Sequence, residues 1–104
     1  MLRIISANLN GIRSAIKKGF LPWAIKQKAD FICMQELKAQ RDDLEDGILN
    51  PDGLHGFFHH AQKKGYSGVG LYSEANPSKI TRGIGIAEFD QEGRVLRADF
   101  DRAE

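Results

Sequence analysis

The sequence predicts an α/β fold, because two short apolar runs typical of strands flank a helical pattern and a tail of short, glycine-rich strands follows. The two runs lie at residues 2–7 and 31–34. A β-α-β unit of this kind places its strands in parallel, with a crossover helix packed on the sheet. Both runs end in polar side chains, and the carboxyl ends of strands are where open α/β sheets bind ligands.

Length and composition set the bounds of the fold. A chain of 104 residues suffices for one small domain, and 41% hydrophobic residues are enough for a packed core. The single cysteine, Cys33, excludes an intrachain disulfide and suits a reducing compartment. The chain begins without a signal-peptide apolar region and contains no run of about 18 apolar residues. We therefore expect a soluble cytoplasmic protein without a membrane segment.

The first half of the chain carries the β-α-β unit. An Asn-Gly turn signal at residues 10–11 follows the first strand. Apolar residues at helical spacing predict a short helix at about 12–18 and a longer one at about 20–28, separated at Gly19. The second strand follows at Phe31–Gln35, and its apolar run reads as buried inside the sheet.

In the middle of the chain, the sequence pattern changes from one typical of helices to one typical of strands. Residues 40–49 are polar and acidic with apolar residues on one side, which predicts a surface helix ending in a turn at 50–53. Residues 56–60 and 68–73 read as strands joined by a tight hairpin.

The last third continues the pattern of short strands and turns. Residues 80–87 are expected to be extended. A turn at 90–93 then leads into a final strand at 94–100. We find no internal repeat, linker or low-complexity segment.

Three oxygen-bearing side chains follow the two strands of the β-α-β unit. Asn8 and Asn10 follow the first strand, and Glu36 follows the second. Amide and carboxylate oxygens with retained waters are what Mg²⁺ selects, so the three could surround one hard cation. On spacing alone, two simpler readings stay open: the asparagines as ordinary turn residues, and Glu36 as a solvated acid at a strand end.

Charge is distributed unevenly along a chain whose net charge is only +1. Residues 1–30 carry six Lys/Arg against one acidic residue, and residues 31–60 carry two against six. Ordinary solvated helix faces would explain this, and so would a basic face for phosphate beside an acidic, metal-holding rim. The histidines at 55, 59 and 60 lack the spacing of a zinc site, so we expect no zinc.

Four segments in order resemble the signature segments of the exonuclease III family of apurinic/apyrimidinic (AP) endonucleases. They are Ile4–Arg13 (IISANLNGIR), Ala29–Lys38 (ADFICMQELK), Lys64–Leu71 (KGYSGVGL), and Gly83–Gly85 (GIG) with Asp90–Val95 (DQEGRV). The wider superfamily includes sphingomyelinases, inositol polyphosphate phosphatases and DNase I-like nucleases. The last two segments favour the DNA-repair branch.

The resemblance implies a four-layered α/β sandwich of the DNase I type, with a mixed β-sheet and flanking helices. It also implies Mg²⁺-dependent hydrolysis of phosphodiesters, with Mn²⁺ as an alternative metal. The expected substrate is duplex DNA with abasic sites or blocked 3′ ends, and some family members are 3′→5′ exonucleases. In a bacterium, such a protein would associate with the nucleoid.

The resemblance also assigns roles to single residues. Glu36 matches the family's metal-binding glutamate, and Asn8 matches the asparagine that helps to form the metal and phosphate site. Asn10 stands where relatives carry Asp or Asn. The residues that fall at or near DNA-contacting positions are Arg13, Lys17, Lys18, Gln35, Lys63 and Tyr66.

The match covers only the amino-terminal part of a typical family member. The family's active-site tyrosine segment, its Gly-Asp-Phe-Asn segment and its Ser-Asp-His ending have no counterpart here. We therefore expect residues 1–104 to form an incomplete endonuclease/exonuclease/phosphatase domain with no complete catalytic set, requiring the carboxyl-terminal part as a partner. A non-catalytic module that binds DNA or protein is the alternative.

Overall fold

The computed structural model describes residues 1–101 of the chain as a mixed sheet with helices and a two-stranded ribbon. The strands are β1 (Ile4–Asn8), β2 (Phe31–Gln35), β3 (His55–His59), β4 (Val69–Ser73), β5 (Lys79–Arg82) and β6 (Leu96–Asp99). The helices are α1 (Ile12–Lys17), α2 (Phe20–Lys26), α3 (Asp46–Leu49) and α4 (Ala87–Asp90), with a 3-10 helix at Arg41–Asp43.

The β-α-β unit has the predicted topology. Strands β1 and β2 pair in parallel, in a register that runs from Ile4 beside Phe31 to Asn8 beside Gln35. The four-stranded sheet has the order β1-β2-β4-β3, and β4 runs antiparallel to both of its neighbours. The α/β class, the two helices between β1 and β2 and the mixed sheet are therefore confirmed.

One face of the sheet carries the core. Ile32 and Met34 of β2 and Tyr72 of β4 point into it and are almost completely buried. The ring of Phe58 meets Tyr72 edge-on, with centroids 5.9 Å apart. The remaining buried apolar residues in this core are Ile12, Ala24, Ala29, Leu37, Ala39 and Leu44. Helices α1 and α2 thus supply the layer that covers this face.

The opposite face of the sheet is only partly covered. Burial along β2 alternates, so Phe31 and Cys33 are half-buried while their neighbours are buried. The run predicted to lie inside the sheet is therefore buried on one face and half-buried on the other, with β1 and β4 on its two sides. Phe31 packs against Phe100, with ring centroids 5.0 Å apart, whereas Ile4 of the edge strand remains 57% exposed.

Two predicted elements in the middle of the chain differ from those observed. Residues 40–49 form a 3-10 helix and a separate short helix, α3, rather than one surface helix. The backbone N–H of Gln40 donates to the Asp43 carboxylate at 2.8 Å, so this acidic side chain caps the 3-10 turn. Strands β3 and β4 pair as predicted, but residues 60–68 connect them in a long loop instead of a tight hairpin.

The last third also differs from its predicted pattern. Strand β5 ends at Arg82, and the segment predicted to be extended turns at Gly83 and enters α4. Both Ile84 and Gly85 donate their backbone N–H groups to the Asp90 carboxylate, at 2.8 and 2.9 Å. These bonds satisfy the backbone locally, without a strand partner. The final strand, β6, is shorter than the predicted 94–100.

The ribbon of β5 and β6 packs beside β3. The Arg82 guanidinium donates through Nε to the Phe58 carbonyl at 2.6 Å, and His59 Nδ1 lies 2.8 Å from the Val95 carbonyl oxygen.

Within residues 1–101, no helix has the length and apolar character needed to cross a lipid bilayer.

Candidate functional site at the ends of β1 and β2

Backbone hydrogen bonds hold the two strand ends together beyond the sheet. The N–H of Leu9 donates to the Gln35 carbonyl at 3.0 Å, and the N–H of Gly11 donates to the Glu36 carbonyl at 2.8 Å. These bonds continue the parallel pairing for several residues past the end of β1. The segments that follow β1 and β2 are therefore held side by side.

Left-handed backbone conformations direct the side chains at this edge. Asn10, Glu36 and Lys38 have φ values of 46°, 52° and 52°, and Gly11 has 104°. Such values are uncommon for residues other than glycine and concentrate at functional sites. Two successive turns in the segment after β2 thus bring both Glu36 and Lys38 to the side of the first strand.

Asn8 is fixed in orientation by two partners. Its Oδ1 accepts the backbone N–H of Asn10 at 3.0 Å, and its Nδ2 donates to the Glu36 carboxylate. The first bond requires the amide oxygen to face the turn, which leaves the amide nitrogen to face Glu36. The amide thereby holds the carboxylate in place at the edge of the sheet.

An ammonium group already lies among these oxygens. Lys38 Nζ donates to Asn10 Oδ1 at 2.6 Å and lies 3.7 Å from Glu36 Oε1. The side chains of Asn8, Asn10 and Glu36 therefore lie together, and the oxygens of Asn10 and Glu36 face the Lys38 ammonium, whereas the Asn8 oxygen faces the Asn10 N–H. Lys38 received no role from the sequence, because its proximity depends on the left-handed turns at Glu36 and at Lys38 itself.

The donor set fits a hard divalent cation. Glu36 offers a carboxylate and Asn10 an amide oxygen, and Asn10 is exposed while Glu36 is half-buried. Among residues 1–101, no three His, Cys, Asp or Glu side chains converge on a point. Mg²⁺ retains several waters and is held by as few as one or two carboxylates, so this set is compatible with it.

The basic residues of α1 surround the strand ends. The Arg13 guanidinium lies 3.5 Å from the Lys38 carbonyl oxygen and 3.9 Å from Asp43. Lys17 and Lys18 are exposed, and Lys18 lines a cleft of about 420 Å³ together with Asn8 and Asn10. Lys18, the residue after α1, therefore lies beside Asn8 and Asn10, and Arg13 of α1 lies beside the backbone of Lys38.

Gln35 has a structural partner. Its side chain exchanges hydrogen bonds with the Ser6 hydroxyl of β1, at 3.1 and 3.4 Å. It lies beside Asn8 in the parallel register, on the sparsely covered face of the sheet. The structure thus places Gln35 near the cluster, although its side-chain amide is already paired.

Tyr66 is held in a network that the sequence did not predict. The Arg94 guanidinium donates to the Tyr66 hydroxyl at 2.7 Å, and that hydroxyl donates to the Glu92 carboxylate at 3.2 Å. Arg94 also donates to Glu92 at 2.8 Å, which holds the pKa of that carboxyl below its usual value. Lys63 Nζ lies 5.4 Å from the Tyr66 ring centroid. The only indication of this network in the sequence was the resemblance of the Asp90–Val95 segment, which contains Glu92 and Arg94, to a signature segment of the family.

The loop that carries Lys63 and Tyr66 is tied to the cluster. The side-chain amide of Gln40 donates to the Ala61 carbonyl at 2.8 Å. At the other end of the loop, the N–H of Lys38 donates to the Ser67 carbonyl at 2.8 Å. The segment after β2 is therefore bonded both to the β1 turn and to the Tyr66 loop.

The side chains of two of the three histidines form hydrogen bonds with backbone carbonyl groups. His59 bonds to Val95, and His60 Nδ1 lies 2.8 Å from the Ala39 carbonyl oxygen. Burial is the main cause that lowers the pKa of His60. Burial also raises the pKa of the Cys33 thiol, which disfavours the reactive thiolate form.

Sequence comparison matches residues 5–104 with a family described as the endonuclease/exonuclease/phosphatase family. An exodeoxyribonuclease of Bacillus subtilis (strain 168) is 40% identical over 101 residues, covering 96% of this chain and 39% of the relative. A DNA-(apurinic or apyrimidinic site) endonuclease of Dictyostelium discoideum is 37% identical, covering 97% of this chain and 28% of the relative. The chain thus spans about two fifths or less of these relatives.

Structure comparison gives the same picture of the fold. An AP endonuclease from Archaeoglobus fulgidus superposes with a TM-score of 0.81 at 33% identity, covering 94% of this chain and 37% of the other. A 3′ phosphatase from Neisseria, solved with a product DNA hairpin, superposes with a TM-score of 0.78 at 23% identity, covering 94% of this chain and 37% of the other. The sheet, its helices and its ribbon therefore recur in larger proteins.

Proposed function

Because this chain belongs to the endonuclease/exonuclease/phosphatase family, we propose that it supplies the amino-terminal half of a metal-dependent active site that hydrolyses phosphodiesters in DNA. One observation carries the proposal. Asn8, Asn10 and Glu36 converge at the ends of two parallel strands, and the Lys38 ammonium lies 2.6 Å from the Asn10 oxygen and 3.7 Å from a Glu36 oxygen. The relatives named as exodeoxyribonuclease and AP endonuclease support DNA as the substrate.

We propose that Glu36 and Asn10 hold Mg²⁺, or Mn²⁺ in its place, and that Asn8 orients the Glu36 carboxylate. When bound, the metal would neutralise charge that develops on the phosphate. Asn8 keeps the carboxylate directed at one point through its amide N–H, so that little reorganisation is needed on binding.

The basic residues would position the strand. Lys18 lines the cleft beside Asn8 and Asn10, and with exposed Lys17 of α1 it would provide charge for backbone phosphates. Further proposed contacts with the DNA backbone come from Arg13, Gln35, Lys63 and Tyr66. Such contacts carry little sequence information, which suits an enzyme that acts at lesions in any sequence.

The lesion and the general base complete the proposal. We propose abasic sites and blocked 3′ ends as targets, by analogy with the relatives. The side chains bonded to Asn8, Asn10 and Glu36 are amides and the Lys38 ammonium, which do not take a proton from water at neutral pH. The base is therefore expected from the carboxyl-terminal segments that longer relatives possess.

The non-catalytic alternative has one observation in its favour. Lys38 donates a hydrogen bond to Asn10 and lies 3.7 Å from Glu36, so both oxygens already face a cationic side chain of the chain itself. A module that only binds DNA or a protein partner would use such an internal pair to shape its surface. Under this alternative, binding of DNA or of the protein partner would not depend on Mg²⁺.

A chimera tests the proposed function. This chain replaces the matching amino-terminal part of the Bacillus subtilis exodeoxyribonuclease, and incision of a labelled duplex with one abasic site is followed with Mg²⁺ and with EDTA. We expect Mg²⁺-dependent incision on the 5′ side of the lesion. A folded chimera that leaves the duplex intact, while the parental enzyme cuts it, would contradict the proposal.

We further expect the Arg94 network to fix Tyr66 for DNA binding. Arg94→Met removes a charged hydrogen bond to Tyr66 and should weaken binding of a duplex about three- to tenfold. Arg97→Met is the matched control, since Arg97 is exposed and pairs with Asp99 at 2.9 Å. Affinity is measured by fluorescence anisotropy.

A double-mutant cycle separates this role from net charge. In a Tyr66→Phe background, Arg94→Met should have little further effect, because the hydroxyl that it binds is gone. Equal losses for Arg94→Met and Arg97→Met, or additive losses with Tyr66→Phe, would show that Arg94 acts only through its charge.

A further inference from the structure

A cleft of about 450 Å³ opens beside β3, the edge strand of the four-stranded sheet. We call it the arginine cleft, because Arg41 and Arg82 line it together with Asn50 and His60. Its apolar lining includes Phe58. None of the residues assigned to metal or DNA in the proposed function lines this cleft.

Both arginines have unpaired charge at the cleft. Within residues 1–101, neither guanidinium lies within 4.0 Å of a carboxylate, whereas Arg13, Arg94 and Arg97 each do. Arg82 is anchored through Nε to the Phe58 carbonyl at 2.6 Å. That bond leaves both terminal NH₂ groups of Arg82 free to donate to a ligand.

The two remaining polar residues add complementary groups. Asn50 Oδ1 accepts the backbone N–H of Gly56 at 3.3 Å, so the amide NH₂ of Asn50 remains as a donor. The Ala39 carbonyl can only accept, so His60 Nδ1 carries the proton of that 2.8 Å bond. In the neutral ring, Nε2 is then an acceptor, and it suits the hydroxyl of a monoprotonated phosphate.

From these groups we propose that the arginine cleft binds a phosphate group at a site separate from the strand-end cluster. Two guanidiniums provide forked donors that match the geometry of phosphate oxygens. Within residues 1–101, no carboxylate lines the cleft, and Asp43, whose charge reaches His60, accepts the Gln40 N–H and lies 3.9 Å from Arg13. The phosphate would come either from the backbone of a nucleic acid or from a small phosphorylated compound.

Titration with inorganic phosphate at constant ionic strength tests the site. Arginine Nε–H and histidine ring resonances of the isotope-labelled chain are recorded by NMR, with chloride as the reference anion. We expect saturable shifts at Arg41, His60 and Arg82. Shifts without saturation, or shifts as large at Arg13 and Arg97 as at Arg41 and Arg82, would overturn the proposal.

A charge reversal provides the matched comparison. Arg41→Glu should weaken phosphate binding about tenfold or more, because it removes one charged donor and adds repulsion. Arg97→Glu changes the net charge equally on an exposed residue outside the cleft and should leave the affinity unchanged. Equal losses in the two variants would overturn the proposal.

Arg41 is chosen as the test residue because its replacement should not affect folding. The Arg41 side chain makes no hydrogen bond or ion pair within residues 1–101, so its replacement should leave the thermal midpoint unchanged. Arg82→Lys is the second variant. It keeps the positive charge but loses the forked N–H donors of the guanidinium, so it should weaken phosphate binding severalfold. Unchanged phosphate affinity in both Arg41→Glu and Arg82→Lys would overturn the proposal.

Duplexes of increasing length distinguish the two sources of phosphate. If the cleft binds a nucleic acid backbone, Arg41→Glu weakens binding of long duplexes, spares short ones, and inorganic phosphate competes with the long duplex. If it binds a small phosphorylated compound, Arg41→Glu leaves DNA affinity at every length unchanged while phosphate affinity falls. Either pattern supports the phosphate site, which is tested independently of incision activity.

Discussion

Glu36→Gln is expected to reduce the affinity of the strand-end site for Mn²⁺ by at least about 100-fold, since loss of even an outer-shell partner costs metal sites about 10- to 100-fold. The substitution preserves shape but removes the one negative charge that Asn8 orients. Mn²⁺ affinity is measured by electron paramagnetic resonance, and incision by the chimera should fall in parallel.

Glu45→Gln is the matched control for this prediction. Glu45 is exposed, precedes α3 and makes no side-chain capping bond, so its replacement changes the charge equally without touching the cluster. We expect its Mn²⁺ affinity to remain that of the parent chain. Similar losses in both variants would assign the metal to diffuse acidic charge, and no loss in Glu36→Gln would remove the metal site.

Gly56→Ala is expected to destabilise the fold by about 3 kcal/mol or more, at the upper end of overpacking costs. A Cβ at this position would lie 1.8 Å from the Leu49 carbonyl oxygen and 2.9 Å from the Phe58 ring. The clash with the backbone cannot be relieved by a rotamer change. Residue 56 pairs with Tyr72, so a shift would disturb β3 and β4 together.

Urea denaturation measures this effect, with Gly47→Ala as the control. Gly47 lies in α3, and a Cβ there meets no atom within 4 Å. Its replacement should be neutral or stabilise by up to about 1 kcal/mol through helix propensity. A Gly56→Ala variant as stable as the Gly47→Ala variant would contradict the observed approach of Leu49 to β3.

The β-α-β unit could be predicted because its pattern and its packing agree. Helical spacing after Asn10 places Ile12 and Ala24 on the buried face, and the second strand has the predicted bounds, Phe31–Gln35. The parallel register follows from a crossover connection. The approach of Asn8 to Glu36 could therefore be expected from strand ends alone.

The prediction for the segment after β5 was wrong because a side chain, rather than a neighbouring strand, pairs with its backbone N–H groups. Residues 80–87 were predicted to be extended, but the strand ends at Arg82, and Ile84 and Ile86 are 54% and 46% exposed. The Asp90 carboxylate accepts the N–H groups of Ile84 and Gly85, which closes a local loop. Local periodicity does not show where these backbone groups find partners.

The rest of the site depends on contacts that the order of residues does not reveal. Lys38 reaches Asn10 only because the backbone turns left-handed at Glu36 and at Lys38. Tyr66, in the loop between β3 and β4, meets Glu92 and Arg94, which lie between α4 and β6 and far from Tyr66 in the sequence. The resemblance to the family proposes Tyr66 as a DNA contact, but only the structure shows that Glu92 and Arg94 hold its hydroxyl.

The position of the bound metal tests the account most directly. Mn²⁺ is added in small amounts to the ¹⁵N-labelled chain, and paramagnetic broadening of NMR signals is mapped. We expect the side-chain amides of Asn8 and Asn10 and the backbone amides of residues 35–38 to broaden first, and Glu36→Gln to remove this pattern. Broadening that begins instead at the acidic segment 42–46, with Asn8 and Asn10 unaffected, would contradict a metal site at the strand ends.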